Sequence, residues 1–245
     1  MSPTGIVALL FLASALTALV SGVTGLAGGA LLFSCLTYIW SVREAIALHA
    51  ATQSLSNGIR VGVFWAHIKW RIVVRFAVLV VPGAYLGSLS LDALPTQILF
   101  GLAATGILLA LLPTKNLPVP THPNWFVAGG FLAGFLGMMI GVVGPIIAPL
   151  FLNTKIVKEE FVATKSACQL ITQGVKFCFF LGMLDFDYTK YTAEVLWMAV
   201  GLTLGTVAAK RVLKSVSSRM FTVGIKGLLA ATAIQLAYKG IAGEE

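Results

Sequence analysis

Four polar side chains stand one above another in an otherwise apolar stretch: His49, Gln53, Asn57 and Arg60. Their spacing of i, i+4, i+8 and i+11 puts them on one face of an α-helix. A second stretch repeats the pattern at the same spacing with Lys165, Gln169, Gln173 and Lys176. Ser56 and Thr172 sit beside the two stripes. Cations surrounded by amides and hydroxyls are suited to an oxygen-rich anion: the cation supplies charge, and the neutral donors bind oxygens without adding more.

The two stripes belong to one segment written twice. Residues 43–60 read REAIALHAATQSLSNGIR and residues 159–176 read EEFVATKSACQLITQGVK, a constant offset of 116. Glu44/Glu160, Ala47/Ala163, Ala51/Ala167, Gln53/Gln169 and Gly58/Gly174 are identical, and Asn57/Gln173 and Arg60/Lys176 keep their chemistry.

These helices must lie in lipid. The chain of 245 residues is 58% hydrophobic and 11% charged, whereas soluble domains carry about 25% charged residues. Apolar runs over 4–40, 45–66, 72–91, 96–113, 124–152, 161–184, 191–209 and 220–238 approach or exceed the ~20 residues of a membrane-spanning helix. No polar stretch is long enough for a soluble domain. The net charge of +8 resides mainly in short loops, as a topology signal does, and no basic stripe interleaved with aromatics points to nucleic acid. Cys35, Cys168 and Cys178 are scattered, which indicates neither a disulfide framework nor a zinc site. The N-terminal stretch lacks a basic n-region and stays apolar to Trp40, so it reads as a membrane segment rather than a signal peptide.

In that setting the deep cations are costly. A charged Arg at the centre of a membrane helix costs ~3 kcal/mol on insertion scales. Arg60 lies ten residues from Trp70, roughly 15 Å along a helix, too far for easy snorkelling. Glu44, Glu160, Asp92, Asp185 and Asp187 all sit near segment ends, so no carboxylate is available at that depth. The missing counter-ion is then the substrate. The alternative is that Arg60 and Lys176 bond to backbone carbonyls where the chain is broken. His49 and Lys165, nearer the segment entrances, suit interfacial anchoring or coupling.

Basic loops mark the cytoplasmic side. Lys69, Arg71 and Arg75 place one loop inside, and the next, holding only Asp92, outside. In the second half Asp185, Asp187, Lys190 and Glu194 mark an outside loop; Lys210, Arg211, Lys214 and Arg219 mark an inside one. The halves 1–115 and 123–245 therefore run in opposite directions, the inverted-repeat plan of secondary transporters. Inversion requires an odd number of crossings per half. Three clear spans follow each opening segment, so the openings 4–40 and 124–152 are predicted to be helical hairpins. They break at Gly22, Gly25, Gly28 and Gly29 and at Gly134, Gly137, Gly141, Gly144 and Pro145. The expected fold is an all-α integral membrane protein of two inverted repeats, each a glycine-broken hairpin plus three helices. It has about ten membrane segments, both termini outside, and no soluble domain. GAYLG (83–87) and GLTLG (201–205) predict close helix packing.

The hairpin breaks offer a second anion device. Gly25–Ala30 aligns with Gly141–Ile146 at the same offset. A half-helix starting at each break would aim free N–H groups and a positive dipole end at the midplane. This adds Gly28, Gly29 and Ala30, and Gly144, Pro145 and Ile146, to the candidate site.

Two matched glycine motifs, each followed by an alanine-rich polar helix with Ala-x-x-x-Ala-x-Gln (47–53 and 163–169), resemble the sulfite exporter TauE/SafE family. The resemblance runs through SerSerArg (217–219) and the final helix. The second copy carries the family's proline at Pro149, where the first has Phe33. The resemblance implies a bacterial-type inner-membrane permease that moves sulfite or an organosulfonate outward. The expected partners are that anion and the lipid bilayer, with a homodimer left open and no nucleic acid. No cofactor or metal is expected, and no embedded Ser/His or paired-Asp arrangement suggests an enzyme. The competing reading is a passive anion channel, or a permease for another small organic anion.

Overall fold

A computed structural model describes residues 3–24, 28–111, 122–144, 147, 150–151, 158–212 and 218–242. Among these the chain is all-helical, without a strand. Its principal helices are α1 (Pro3–Thr24), α2 (Gly28–Thr37), α3 (Val42–Val63), α4 (Trp70–Ala77), α5 (Val80–Ala93), α6 (Thr96–Leu111), α7 (Trp125–Ile140), α8 (Lys158–Gly182), α9 (Thr192–Val212) and α10 (Ser218–Ala242).

Local chemistry sets most boundaries that matter to the site. The Ser41 hydroxyl and the Glu44 carboxylate form a reciprocal capping box at the start of α3, satisfying two backbone donors that a helix start leaves unpaired. At the end of α7, Gly141 takes φ +76°, a conformation that glycine adopts without the Cβ clash of other residues. The first opening segment divides into α1 and the 10-residue α2, about 15 Å long, half of a ~30 Å hydrocarbon core. In the second opening segment α7 is followed by helical residues at Gly144, Ile147, Leu150 and Phe151. The run 72–91, expected as one span, is interrupted at Val78–Leu79. Pro82 explains the break: it lacks an N–H, and its ring collides with the carbonyl four residues earlier. The equivalent position in α9 is Met198, and α9 is continuous.

Four helix pairs carry the packing: α1 with α9, α5 with α7, α3 with α8, and α6 with α10. Shifting the numbering by 116 carries α1 onto α7 and α5 onto α9, so the first two pairs exchange. The same shift carries α3 onto α8 and α6 onto the start of α10. The glycine motifs sit at these contacts. Gly83 and Gly87 meet the backbone of Phe131 and Phe135, while Gly130 and Gly134 meet the carbonyls of Phe76 and Val80. Gly201 and Gly205 meet the carbonyls of Phe11 and Ala15. A side chain at any of these positions would collide with backbone, which cannot rotate away.

The exterior is apolar. Leu12, Leu16, Val74, Leu196, Leu204 and Val207 are all exposed. Two stretches, Trp70–Leu91 and Tyr188–Ala209, are long and apolar enough to cross a membrane. Helix α4 buries Val73 and Phe76 and exposes Arg71 and Arg75. Trp70, its first residue, is in edge contact with Trp65 at 4.8 Å, a combination typical of a membrane–water interface.

Candidate anion site

Helices α3 and α8 face each other, and their polar stripes meet at a cavity of about 10 Å³. That is room for a single water. Arg60, Gln53 and His49 reach it from α3; Lys165, Gln169 and Gln173 reach it from α8. Gly29 and Ala30, in the first turn of α2, form one wall, and Val142, Val143 and Gly144 form another. The first turn of a helix leaves its N–H groups without intrahelical partners, and Gly29 and Ala30 belong to that turn. Among the described residues no carboxylate lines the cavity.

The cations are deeply placed. Arg60 is 9% exposed, Lys165 4% and Lys176 1%. Arg60 makes no ion pair among the described residues. The structure separates Lys176 from its repeat counterpart, because Lys176 does not line the cavity. Its Nζ donates to the carbonyls of Gly141 at 3.0 Å and Gly137 at 3.3 Å. The end of a helix leaves carbonyls unpaired and carries the negative end of its dipole, so Lys176 caps α7. This is the carbonyl-bonding alternative, realised for Lys176 and not for Arg60.

His49 plays a similar part at the break between α1 and α2. Its Nε2 lies 2.9 Å from the Gly29 carbonyl. A carbonyl only accepts, so Nε2 carries the proton and Nδ1 presents a lone pair. That Nδ1 is buried without a hydrogen-bond partner among the described residues. Phe33 packs edge-on against the ring at 5.8 Å. His49 is thus 1% exposed and tied to backbone, not an interfacial anchor.

The remaining predicted residues divide. Asn57 is buried and does not line the cavity: its Nδ2 donates to the Gln53 carbonyl at 2.9 Å and its Oδ1 has no partner among the described residues. Gly28 packs on α1 against Thr17 and Ser21 and does not line the cavity. Pro145 and Ile146 lie outside the described residues. Ser21, Val142 and Val143 line the cavity but were not predicted. The two valines lie within the aligned glycine motif, and that was the available signal. Ser21 is one small polar residue in an apolar arm and carried none.

Both ends of the α3–α8 pair are latched, and in matching ways. At one end Tyr191, in the loop after α8, donates its hydroxyl to Glu44 at 2.5 Å, and Tyr188 donates to the Ala47 carbonyl at 3.3 Å. Phe186 stacks on Tyr191 and Trp40 packs edge-on against it. At the other end Lys69, in the loop after α3, pairs with Glu160 at 2.6 Å, and its backbone N–H donates to Thr164 at 3.0 Å. Glu44 and Glu160 are repeat equivalents. Each polar helix therefore begins with a carboxylate held by the loop that follows the other polar helix.

An all-helical chain with an apolar exterior and a buried, cation-lined cavity falls in the class of integral membrane transport proteins. Comparison with protein families narrows this: residues 10–236 match the family described as Sulfite exporter TauE/SafE, and the chain belongs to that family. It is accordingly a membrane transporter of sulfur compounds, not an enzyme. Neither curated proteins nor solved structures provide a match.

Proposed function

We propose that the protein exports sulfite, or an organosulfonate, across a bacterial-type inner membrane by alternating access. The observation that carries this reading is Arg60: a guanidinium buried in an apolar helix bundle, with no ion pair among the described residues, facing a cavity lined by amide side chains and by Gly29 and Ala30 of the first turn of α2. A buried charge is strongly unfavourable unless something neutralises it, and an anion in the cavity does so. The halves 1–115 and 123–245 act as inverted repeats in a multi-pass fold with both termini outside. The exchange of helix pairs under the 116-residue shift supports that arrangement. An inside-negative potential favours anion exit by ~2.3 kcal/mol per charge per 100 mV.

A cavity of about 10 Å³ has room for about one water, so it has to widen to admit a three-oxygen anion, as alternating access would allow. This favours a carrier over an open pore. In proteoliposomes loaded with sulfite, the wild type should give saturable exchange of labelled sulfite across the membrane. Unitary current steps without saturable exchange would show a channel instead.

The latches bear on which end opens. Lys69→Met should favour opening at the cytoplasmic end and Tyr191→Phe at the outer end. Each shift should be modest, because partly exposed polar contacts are worth up to ~1 kcal/mol, about fivefold in population. The readout is labelling of Cys at Gln53 by an impermeant thiol reagent in sealed vesicles, with Cys35, Cys168 and Cys178 replaced by Ala. Increased labelling from the same side in both variants would contradict opposed latches.

A further inference from the structure

We infer that α4 binds anionic phospholipid: Arg71 and Arg75, on its exposed face, hold lipid phosphates at the cytoplasmic surface and so steady the latch that Lys69 makes. The lipid surface stands without the transport reading above; its link to the latch rests on that reading.

Helix α4 has two faces. Val73 and Phe76 are buried, and the Phe76 carbonyl lies against Gly130 of α7. Trp70, Arg71, Val74 and Arg75 are exposed. Arg71 and Arg75 are one turn apart, so their side chains leave the same side of the helix. Neither has an ion pair among the described residues. In a membrane protein such a face meets lipid. Val74, 62% exposed, suits the acyl region, and the Trp65–Trp70 pair suits the headgroup level, where amphipathic rings concentrate. The headgroup that complements two guanidinium groups carries net negative charge, and its phosphate oxygens match the guanidinium fork.

The equivalent segment of the other half is built differently. A shift of 116 carries Lys69, Trp70, Arg71 and Arg75 onto Asp185, Phe186, Asp187 and Tyr191. Phe186 and Tyr191 are half-buried and stack on each other. Asp187 accepts from the Thr189 backbone. One copy thus turns cations and an aromatic ring outward, and the other turns aromatic rings inward. A topology signal needs only basic residues somewhere in the loop. Two arginines one turn apart on the exposed face of a helix go beyond that need.

The link to the latch is covalent. Lys69 is the residue on which α4 starts. Its Nζ pairs with Glu160 at 2.6 Å and its N–H donates to Thr164 at 3.0 Å. Headgroups held by the next turn resist displacement of α4, and Lys69 has to leave α8 when the cytoplasmic end opens. Anionic lipid therefore disfavours that opening.

Native mass spectrometry of the full-length protein, taken from micelles with equal phosphatidylglycerol and phosphatidylcholine, tests the surface. Wild type should retain phosphatidylglycerol preferentially. Each cation near an anionic surface contributes about a fivefold factor, so Arg71→Gln with Arg75→Gln should lower the preference by ~25-fold. Arg75→Gln alone should lower it about fivefold and decides the matter if the double variant does not fold. Arg71→Lys with Arg75→Lys should keep most of the preference, and Lys190→Gln, at the other end, should keep all of it. An unchanged preference in the glutamine variants overturns the lipid surface, as does an equal loss in Lys190→Gln. The link is read by labelling Gln53→Cys from the cytoplasmic face with an impermeant thiol reagent, with Cys35, Cys168 and Cys178 replaced by Ala. Adding phosphatidylglycerol to phosphatidylcholine vesicles should reduce labelling when both arginines are present and leave it unchanged in the glutamine variants. Labelling that ignores phosphatidylglycerol overturns the link and leaves the lipid surface standing. Labelling from neither face in any lipid overturns the transport reading instead.

Discussion

Replacing Arg60 with methionine should lower sulfite flux in proteoliposomes by ~100-fold or more while the purified protein keeps its helical content and elution volume. The argument has two sides. Losing one partner of a desolvated charge contact costs 2–5 kcal/mol, roughly 30-fold to several thousandfold in affinity. Folding should not suffer, because a guanidinium inside an apolar bundle is itself a burden of ~3 kcal/mol on insertion scales. Arg60 makes no ion pair among the described residues whose loss would offset that relief. Methionine retains the length and flexibility of the side chain and so limits the void. Arg60→Lys should fall between the two: it keeps the charge but loses the fork that can engage two oxygens at once. A methionine variant that transports like the wild type would remove the anion from this cavity.

The second large effect concerns the fold. Gly134→Leu should prevent recovery of a stable, monodisperse protein. Gly134 lies against the Val80 carbonyl and the Ala84 nitrogen where α7 crosses α5. Overpacking ordinarily costs 1–3 kcal/mol, and here the obstacle is backbone on the facing helix, so relief requires the helices to separate. Gly62 provides the control. It lies on α3 with nothing near its would-be Cβ, and Gly62→Leu should change thermal stability in detergent by no more than about 0.5 kcal/mol. Equal melting temperatures for the two variants would refute close α5–α7 packing.

Much of the architecture could be read in the amino acids because it follows local rules. The repeat of 43–60 at 159–176 identified the two helices that meet at the cavity. Their i, i+4, i+8, i+11 spacing identified the facing sides. The glycine clusters located both breaks, and Gly141 breaks α7 because it can adopt φ +76°. What escaped depended on partners distant in sequence. Arg60 and Lys176 are equivalent by position and similar in charge. Only the end of α7, with its carbonyls brought to Lys176 from 35 and 39 residues away, distinguishes them. The break before α5 was visible in principle, since Pro82 is in the sequence, but the hydropathy of the run concealed it. The latches at Glu44 and Glu160 depend on loops from the opposite half, which no single-segment pattern contains.

The family assignment makes the protein a transporter of sulfur compounds, and the geometry concentrates the chemistry at one buried guanidinium. The most direct test is equilibrium binding of radiolabelled sulfite to purified wild-type and Arg60→Met proteins under identical conditions, with helical content checked in each. Saturable binding to the wild type and its loss in the variant is the predicted result. Equal binding by both proteins would contradict the site.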